Sequence, residues 1–456
     1  MPTPSIEPRR FRPLLRRDLD RIPQIAALPA EQREVMKAVA TVLPFRVNSY
    51  VVEELIDWDQ VPDDPMFQLT FPQAEMLEPD ALARMRDLLR RDAPDGEVRE
   101  MVRGIQADLD PHPACQRDLN VPCLDGERLP GMQHKYRETV LFFPTPGQTC
   151  HSYCTYCFRW AQFVGDQDLK FAARESDQLV RYLRRHREVS DVLITGGDPL
   201  VMKTRVLRRY VEPLLAPGLD SVTSIRLGTK APAFWPHRFV TDDDADDLLR
   251  LFEEVRDAGK HLALMAHYSH PRELTTPAAE VALQRIQDAG ATVRCQAPLI
   301  RHVNDDADAW ADMWNTQIRL GAVPYYMFVE RDTGPKRYFE VPLARGLHIY
   351  RQALKQVSGL ARTVRGPSMS ANPGKVTVDG VAEVAGERVF ALRFLQGRGP
   401  DWVGRPFFAR YDERATWLDD LQPAFGREEF FFEPGLRLIA RGRGTDANDT
   451  MTEAAS

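Results

Sequence analysis

The sequence predicts an α/β fold, a partial (βα)6 barrel with an N-terminal helical extension and a mixed C-terminal region. Short runs rich in β-branched and aromatic residues recur along the middle of the chain, and amphipathic segments of helical length separate most of them. Strands that alternate with helices form parallel βαβ units with right-handed crossovers. The six runs span 138–144, 191–195, 222–228, 261–267, 292–300 and 323–329.

The number of strands favours one arrangement over another. Six βα units are too few to close an eight-stranded barrel, and they suit a barrel that is open on one side. Its active site would lie at the C-terminal ends of the strands. A doubly wound open sheet fits the alternation alone and remains the alternative. Two of the helical segments, 243–260 and 276–290, contain an Ala-Gly pair typical of a helix C-terminus.

Composition divides the chain into five regions. Residues 1–20 are rich in arginine, and we predict a disordered arm there. Residues 21–135 show helical spacing of apolar residues followed by an irregular lead-in. Residues 136–345 form the predicted barrel, and 346–440 a C-terminal region of short strands, turns and hairpins. Residues 441–456 lack apolar content and are predicted to be a disordered tail.

Three of the six cysteines form the most specific motif. Cys150, Cys154 and Cys157 follow the first predicted strand with the spacing Cys-x3-Cys-x2-Cys. Thiolates hold [4Fe–4S] clusters, and three of them leave one iron open to the amino and carboxylate groups of S-adenosylmethionine (SAM). A structural zinc site, the alternative, normally needs a fourth Cys or His in a paired spacing. The other cysteines are expected to be free thiols: Cys115, Cys123 and Cys295.

A Gly-Gly-Asp turn follows the second predicted strand. Gly196 and Gly197 allow close backbone approach to a ligand, and the carboxylate of Asp198 is suited to accept a hydrogen bond from an ammonium group. Most turns of this kind only reverse the chain. In radical SAM enzymes such a motif meets the SAM amino group, so beside the cysteine triplet we interpret it as part of a SAM site.

The chain between about residues 42 and 385 resembles the lysine 2,3-aminomutase family of radical SAM enzymes. Separated segments carry the resemblance in order: LPGMQHKYRETVLF, CHSYCTYCFRW, DVLITGGDPLVM, SIRLGTKAPAFWPHRF, HYSHPRELT, RHVNDD, VPYYMFV and SGLARTVRGPSMSANPGK. It implies that SAM is cleaved to a 5′-deoxyadenosyl radical, which takes a β-hydrogen from an amino acid held on pyridoxal phosphate (PLP). The amino group then moves from C2 to C3, which makes the expected enzyme an isomerase.

The resemblance assigns roles to individual residues. Lys375 matches the lysine that binds PLP covalently, and we expect it on a mobile loop from which its amine can leave and return. Arg159 matches the arginine that holds the substrate α-carboxylate, for which its bidentate fork is suited. His267 and Gln296 match residues near SAM. Without the resemblance, these would be an exposed lysine, a rim ion pair and two core polar groups.

Two positions differ from the lysine enzymes, in which two aspartates hold the distal ammonium of the substrate. The matching residues here are Arg331 and Ser368. An arginine would repel a lysine side chain, so we predict a substrate with an acidic or neutral side chain. A shift of one residue in register would put Glu330 or Asp332 in place of Arg331 and would remove this argument.

The phosphate end of the PLP site also differs. The family has two arginines ahead of the first barrel strand, and the matching residues here are Lys135 and Thr139. Lys135 is predicted to bind the cofactor, with Arg137 as a spatial substitute for the second arginine. A radical SAM enzyme on the same scaffold without PLP is therefore the alternative. The Gly-Gly-Asp turn argues against a third possibility, a binding module without catalysis.

Composition limits the other partners. With 456 residues, a net charge of -6 and 28% charged residues, the chain lacks the marks of a polybasic nucleic-acid binder. It has no run of about 18 apolar residues and no apolar leader, so neither a membrane span nor secretion is expected and a cytoplasmic enzyme is predicted. The resemblance further implies an amino-acid substrate, an electron donor of the flavodoxin or ferredoxin type and a homo-oligomer.

Overall fold

The computed structural model describes residues 6–111, 119–164, 172 and 176–442, and an eleven-stranded mixed sheet forms its centre. The strands are β1 (Pro13–Leu15), β2 (Arg46–Asn48), β3 (Cys123–Leu124), β4 (Glu127–Arg128), β5 (Met132–Tyr136), β6 (Thr139–Phe142), β7 (Asp191–Ile194), β8 (Ser224–Thr229), β9 (His261–His267), β10 (Thr292–Leu299), β11 (Val323–Val329), β12 (Arg365–Ser370), β13 (Gly374–Val384), β14 (Glu387–Gly397) and β15 (Pro406–Arg410). The helices are α1 (Pro23–Ala26), α2 (Ala30–Val42), α3 (Pro65–Thr70), α4 (Pro79–Arg90), α5 (Asp95–Asp108), α6 (Ser176–Arg185), α7 (Thr204–Val211), α8 (Ala231–Phe234), α9 (Ala245–Asp257), α10 (Pro277–Asp288), α11 (Ala307–Arg319), α12 (Lys336–Phe339), α13 (Leu343–Lys355) and α14 (Glu433–Gly442).

The strands from β6 to β12 run parallel and follow chain order in the sheet. A helix lies in each connection between them: α6, α7, α9, α10, α11 and α13 in turn. β5 pairs antiparallel with β6 at one edge, and β13 to β15 continue antiparallel beyond β12. The six predicted strands correspond to β6–β11, so the predicted α/β class is confirmed.

β12 is a seventh parallel strand that the sequence analysis missed. It contains Gly366 and Pro367, residue types that are depleted in strands, and it therefore lacks the usual strand signal. A Cβ on Gly366 would lie 2.6 Å from the carbonyl oxygen of Met327. The glycine thus allows β12 to lie close against β11.

The crossover helices begin and end where the local sequence indicates. Thr276 caps α10 by accepting a hydrogen bond from the Ala279 N–H at 3.2 Å, and Pro277 occupies the first turn. Gly290 follows α10 with φ +88°, and Gly259 follows α9 with φ +75°. Both glycines adopt the left-handed conformation that ends helices, so the two predicted Ala-Gly stops are confirmed.

The sheet curls until its first strand approaches the connection between β12 and β13. Lys135 Nζ on β5 donates a hydrogen bond to the Ala371 carbonyl. Arg398, directly after β14, donates to Asn120 Oδ1 at 2.6 Å, in the segment that leads to β3. Side chains on the inner face of the curled sheet can therefore meet across it.

The segment assigned to a disordered arm is folded from residue 6 onward, so the prediction was wrong for residues 6–20. β1 pairs antiparallel with β2, and Leu19 is only 1% exposed. The ring of Phe11 packs edge-on at 5.3 Å from His151 and 5.0 Å from Trp235. The prediction failed because the segment has many arginines and few apolar residues, and those apolar residues pack against partners that are distant in the sequence.

The C-terminal strands carry an apolar cluster of their own, in which Phe394 and Phe407 are buried. The segment that follows β15 ends in helix α14, where the sequence predicted strands, turns and hairpins. The predicted tail from residue 443 onward and Cys115 lie outside the described residues. In the part of the chain that is described, no helix is both long and apolar enough to cross a membrane.

Candidate active site

The loop that carries the three cysteines, residues 143–164, begins at the C-terminal end of β6 and is held against the N-terminal extension. The N–H of Tyr153 donates to the Arg46 carbonyl at 2.8 Å, and the N–H of Thr155 donates to the Leu69 carbonyl at 2.9 Å. Because backbone groups make these bonds, they fix the path of the loop itself. The extension therefore serves as the support of the cysteine loop.

Cys150, Cys154 and Cys157 are free thiols, and the N–H of Cys157 donates to the Cys154 carbonyl at 3.1 Å. Burial raises the pKa of Cys154 to about 12 and that of Cys157 to about 11, so both stay neutral until a metal stabilises their thiolates. Within the described ranges, no three His, Cys, Asp or Glu side chains converge on a single metal position. A cubane cluster binds each thiolate to a different iron, and three thiols spread along one loop fit that requirement.

Gly196 and Gly197 lie against the backbone that leads into Cys150. A Cβ on Gly197 would lie 2.4 Å from the carbonyl oxygen of Thr149, and one on Gly196 would lie 2.2 Å from Gln148 Nε2. Side chains at either position would clash, so the glycines allow the turn after β7 to pack directly on the cysteine loop. The sequence predicted that these two glycines let a ligand approach the backbone. In the structure, the groups that approach them closely are Gln148 and Thr149 of the protein itself.

The carboxylate of Asp198 is occupied by donors from inside the protein, and the residue is 1% exposed. It accepts hydrogen bonds from the Thr229 hydroxyl at 2.8 Å and from the N–H groups of Leu200 and Lys230 at 2.9 and 2.8 Å. Its own N–H donates to the Thr149 carbonyl at 2.7 Å. Burial raises the pKa of Asp198 to about 6 in spite of these bonds. Asp198 thus joins the β7 turn to β8 and to the cysteine loop.

We expect Asp198→Ala to lower the free energy of unfolding by about 2–4 kcal/mol, because it leaves three buried donors without an acceptor. Chemical denaturation of the SAM-free protein measures this loss. The matched control is Asp220→Ala, which removes an exposed carboxylate and should change the free energy by less than about 0.5 kcal/mol. Equal denaturation midpoints for Asp198→Ala and wild type would contradict the structural role.

His267 and Gln296 are register partners on β9 and β10. His267 Nε2 lies 2.6 Å from the hydroxyl of Tyr156, which stands between Cys154 and Cys157 in the cysteine loop. The side chain of Gln296 is half-buried and makes no hydrogen bond to the described part of the chain. His267 therefore positions the cysteine loop, and the amide of Gln296 remains available to a ligand.

Lys375 is the second residue of β13, so the predicted mobile loop is corrected to a strand. Its Nζ lies 4.2 Å from the ring centre of Tyr326 and 5.4 Å from that of Phe328. A Cβ on the preceding Gly374 would lie 2.3 Å from the Gln396 carbonyl oxygen, so a glycine is needed where the strands meet. Burial and neighbouring arginines lower the pKa of Lys375 to about 7. About half of this amine is unprotonated at neutral pH and able to attack a carbonyl group.

Positive charge surrounds Lys375. Arg226 on β8, Arg365 on β12 and Arg331 after β11 all help to lower its pKa. Arg226 is paired, because its Nε donates to Asp191 Oδ1 at 2.8 Å. Arg365 lies over two tyrosine rings of β11 and has no carboxylate partner in the described ranges. An amine of low pKa among cationic side chains fits PLP, whose phosphate is a dianion and whose carbonyl needs a free amine.

The residues that match the family's phosphate-binding arginines are engaged elsewhere. Lys135 Nζ donates to the Ala371 carbonyl, and Thr139 Oγ1 donates to Asp191 at 3.0 Å. Arg137 is exposed on the protein surface, so it does not take the place of the second phosphate-binding arginine beside Lys375. The cations nearest to Lys375 come from β8 and β12 instead.

Arg159 and Arg331 both lie against the ring of Phe158, with the centres of their guanidinium groups 5.2 and 4.7 Å from its centre. The two segments are linked because Trp160 Nε1 donates to Thr333 Oγ1 at 3.1 Å. Neither arginine pairs with a carboxylate of the described residues. Burial, followed by repulsion from Arg331, lowers the pKa of Arg159 to about 9. The arrangement presents two cations without carboxylate partners against one aromatic ring.

The neighbours of Arg331 occupy different surroundings. Glu330 is 6% exposed, and neither of its carboxylate oxygens has a hydrogen-bond partner in the described chain. Asp332 pairs with Lys336 at 2.8 Å. Ser368 is completely buried, and its hydroxyl has no described partner, so it reaches no open surface. Among these residues, Arg331 is the one that lies against Phe158 beside Arg159.

Sequence reasoning missed most of the cations that lie on or beside the central strands. Arg226 and Arg294 interrupt the apolar runs SIRLG and TVRCQ. A charged residue inside a predicted strand was the one sequence feature that could have indicated these cations. Arg365 lies on the strand that was not predicted. Lys230 forms a buried ion pair with Glu273 at 2.6 Å, and no local motif indicates such a pair.

Comparison with curated proteins finds relatives that are named 2,3-aminomutases. A putative L-lysine 2,3-aminomutase of Aquifex aeolicus is 30% identical over 397 residues, which are 87% of this chain and 92% of that protein. The L-lysine 2,3-aminomutase of Fusobacterium nucleatum is 27% identical over 233 residues, or 51% of each chain. The glutamate 2,3-aminomutase of Clostridioides difficile is 24% identical over 346 residues, 75% of this chain and 69% of that enzyme.

No protein-family model matches the chain. Among solved structures, the crystal structure of Streptococcus suis SuiB bound to the precursor peptide SuiA gives a TM-score of 0.35 at 12% identity, covering 60% of this chain and 57% of that chain.

Proposed function

The chain belongs to the lysine 2,3-aminomutase family of radical SAM enzymes, and from that premise we propose that it moves the α-amino group of an acidic amino acid to the β-carbon with the help of PLP. Membership makes the protein an isomerase that uses a [4Fe–4S] cluster and SAM. The acidic substrate and the use of PLP are the parts that we add. The pair of arginines at Phe158 carries the substrate assignment.

The cluster and SAM supply a 5′-deoxyadenosyl radical when they are bound. We assign Cys150, Cys154 and Cys157 as the cluster ligands and the curled sheet as a partial barrel with its active site at the C-terminal strand ends. Around them the chain acts by positioning. The Gly-Gly-Asp turn and the bond between Tyr156 and His267 hold the cysteine loop against β7, β8 and β9.

PLP supplies an electron sink for the substrate radical when it is bound. Lys375 would hold a carbonyl cofactor covalently, because burial among arginines lowers the pKa of its amine to about 7 and leaves a large unprotonated fraction at neutral pH. Arg365, which has no carboxylate partner in the described ranges, would give the surroundings of Lys375 the positive charge that a phosphate needs. The rings of Tyr326 and Phe328 beside Nζ provide apolar walls that exclude water.

Arg159 and Arg331 bind the two carboxylates of the substrate, Arg159 the α-carboxylate and Arg331 the side-chain carboxylate. Two half-buried guanidinium groups without carboxylate partners repel each other, and a dianionic ligand removes that repulsion. An amino acid with an ammonium side chain would add a third cation. A relative named glutamate 2,3-aminomutase supports the same substrate class.

Replacing Arg331 tests the substrate assignment. We expect Arg331→Gln to lower kcat/KM for glutamate or aspartate by about 100- to 1,000-fold, because it removes a charge-assisted contact to the side-chain carboxylate. Incubation of the reconstituted enzyme with each common amino acid, followed by chromatography of the β-amino products, measures the effect. Arg337→Gln is the matched control, since Arg337 is an exposed arginine paired with Glu78, and its activity should equal that of wild type. Faster turnover of lysine than of glutamate by wild type would refute the assignment.

A further inference from the structure

The folded N-terminal segment covers the outside of the cysteine loop. Phe11 packs edge-on against the ring of His151, the residue directly after Cys150. Arg46 lies 5.7 Å from the ring centre of Phe11, and its Nη1 donates to Thr149 Oγ1 at 3.1 Å, directly before Cys150. The residues on either side of Phe11 are therefore carried to the protein surface next to the proposed cluster.

That surface is positively charged. We call it the arginine surface, and its members are exposed arginines of the N-terminal segment: Arg10, Arg12, Arg16 and Arg17. Arg10, Arg12 and Arg16 have no carboxylate partner in the described chain, and Arg17 reaches Asp18 only at 3.9 Å. Some exposed arginines elsewhere, such as Arg91 and Arg437, are paired with acids. The segment that packs beside the cysteine loop thus carries four exposed arginines, of which three have no carboxylate partner, in a chain with a net charge of -6.

A groove of about 820 Å³ continues from this surface toward the cysteines. Arg16, Arg99 and Asp95 line it together with apolar residues that include Phe163. The ring of Phe163 stacks on that of Tyr153 with the centres 4.4 Å apart, and Tyr153 lies in the cysteine loop between Cys150 and Cys154. The groove is therefore lined by the end of the cysteine loop itself, and the Phe163 ring in it stacks on a residue that lies between two of the three cysteines.

We infer that the arginine surface and this groove form the docking site of an acidic electron-donor protein, an inference that rests on the proposed radical SAM function. In each transfer, one electron leaves the reduced flavin or iron–sulfur centre of the donor and reduces the cluster, and no atom changes hands. An acidic donor is attracted by unpaired surface cations, and such steering raises association rates by 10- to 1,000-fold at low salt. The apolar floor supplies the contact that keeps the bound partner near the cluster.

Charge reversal tests the docking site in the reconstituted full-length enzyme. We expect Arg10→Glu/Arg12→Glu to lower kcat/KM for SAM cleavage driven by reduced flavodoxin at least tenfold and to flatten its salt dependence. Cleavage driven by excess dithionite should remain within twofold of wild type, because that small reductant needs no docking surface. The matched control is Arg205→Glu/Arg209→Glu, which reverses two exposed arginines on α7 and should leave both rates unchanged.

The outcomes separate the docking site from the proposed function. A flavodoxin-driven rate within twofold of wild type for Arg10→Glu/Arg12→Glu overturns the docking site while the proposed function stands. An equal loss in Arg205→Glu/Arg209→Glu also overturns it, because the effect would then follow total charge. If wild type cleaves no SAM even with dithionite, the proposed function fails, and the docking site fails with it.

Discussion

Cys154→Ala is expected to abolish reductive SAM cleavage, with a loss of at least about 1,000-fold, because two remaining thiolates do not hold a [4Fe–4S] cluster with one open iron. The variant should contain little iron after anaerobic reconstitution and should lack the broad iron–sulfur absorption that dithionite bleaches. Production of 5′-deoxyadenosine from SAM, measured by chromatography, gives the activity. Cys154 is central to the loop, since the Cys157 N–H donates to its carbonyl.

A second cysteine separates this effect from general thiol loss. Cys123 lies on β3 in the lead-in, outside the cysteine loop, and Cys123→Ala should retain both iron content and SAM cleavage. Because the backbone bonds that hold the loop involve Tyr153 and Thr155, the fold of Cys154→Ala should survive, and its circular dichroism spectrum should match that of wild type. Retained SAM cleavage by Cys154→Ala would refute the cluster assignment.

Those parts of the fold that depend on regular patterns could be predicted from the sequence. β6 to β11 were predicted because apolar runs such as DVLIT and HLALMAH are bounded by turn residues. Helix ends were predicted where one residue decides the conformation, as at Gly259 and Gly290. The cysteine triplet stood out because its three cysteines lie within eight residues of one another.

Features that depend on distant contacts could not be predicted. Phe11 is one apolar residue among arginines, and only its packing on His151 and Trp235 shows why the N-terminal segment folds. Lys375 follows Pro-Gly, a turn signal, yet pairing of β13 with β12 and β14 draws it into a strand. Tertiary pairing overrides local propensity in both places.

In the candidate site, too, local motifs could be predicted from the sequence and distant contacts could not. Asp198 was identified by its motif, but the sequence could not show that Thr229, Leu200 and Lys230 already occupy its carboxylate. For Arg331 the difficulty was different, because the prediction that it faces the substrate side chain depended on an assumed register relative to its neighbour Glu330. Burial of Glu330 and partial exposure of Arg331 beside Phe158 support that register.

Lys375→Met is expected to abolish covalent PLP binding and to lower aminomutase turnover by at least about 1,000-fold, because methionine fills the space but has no amine. Borohydride reduction of wild type with PLP should leave a fluorescent pyridoxyl group on the peptide that contains residue 375, detected by mass spectrometry. Lys355→Met, which removes an exposed lysine at the end of α13, is the control and should keep the label at residue 375.

The pH dependence of PLP attachment tests the environment of Lys375 directly. Its pKa of about 7 lies below the usual 10.5, so the unprotonated amine predominates above pH 7 and is lost as pH falls below it. The rate of attachment should therefore rise to half its maximum near pH 7 and level off by about pH 8.5. An unperturbed lysine would give a rate that still increases above pH 9. If wild type cleaves SAM but never acquires the pyridoxyl label, the aminomutase proposal fails, and a radical SAM enzyme without PLP takes its place. The low pKa of Lys375 would then serve a reaction other than PLP attachment.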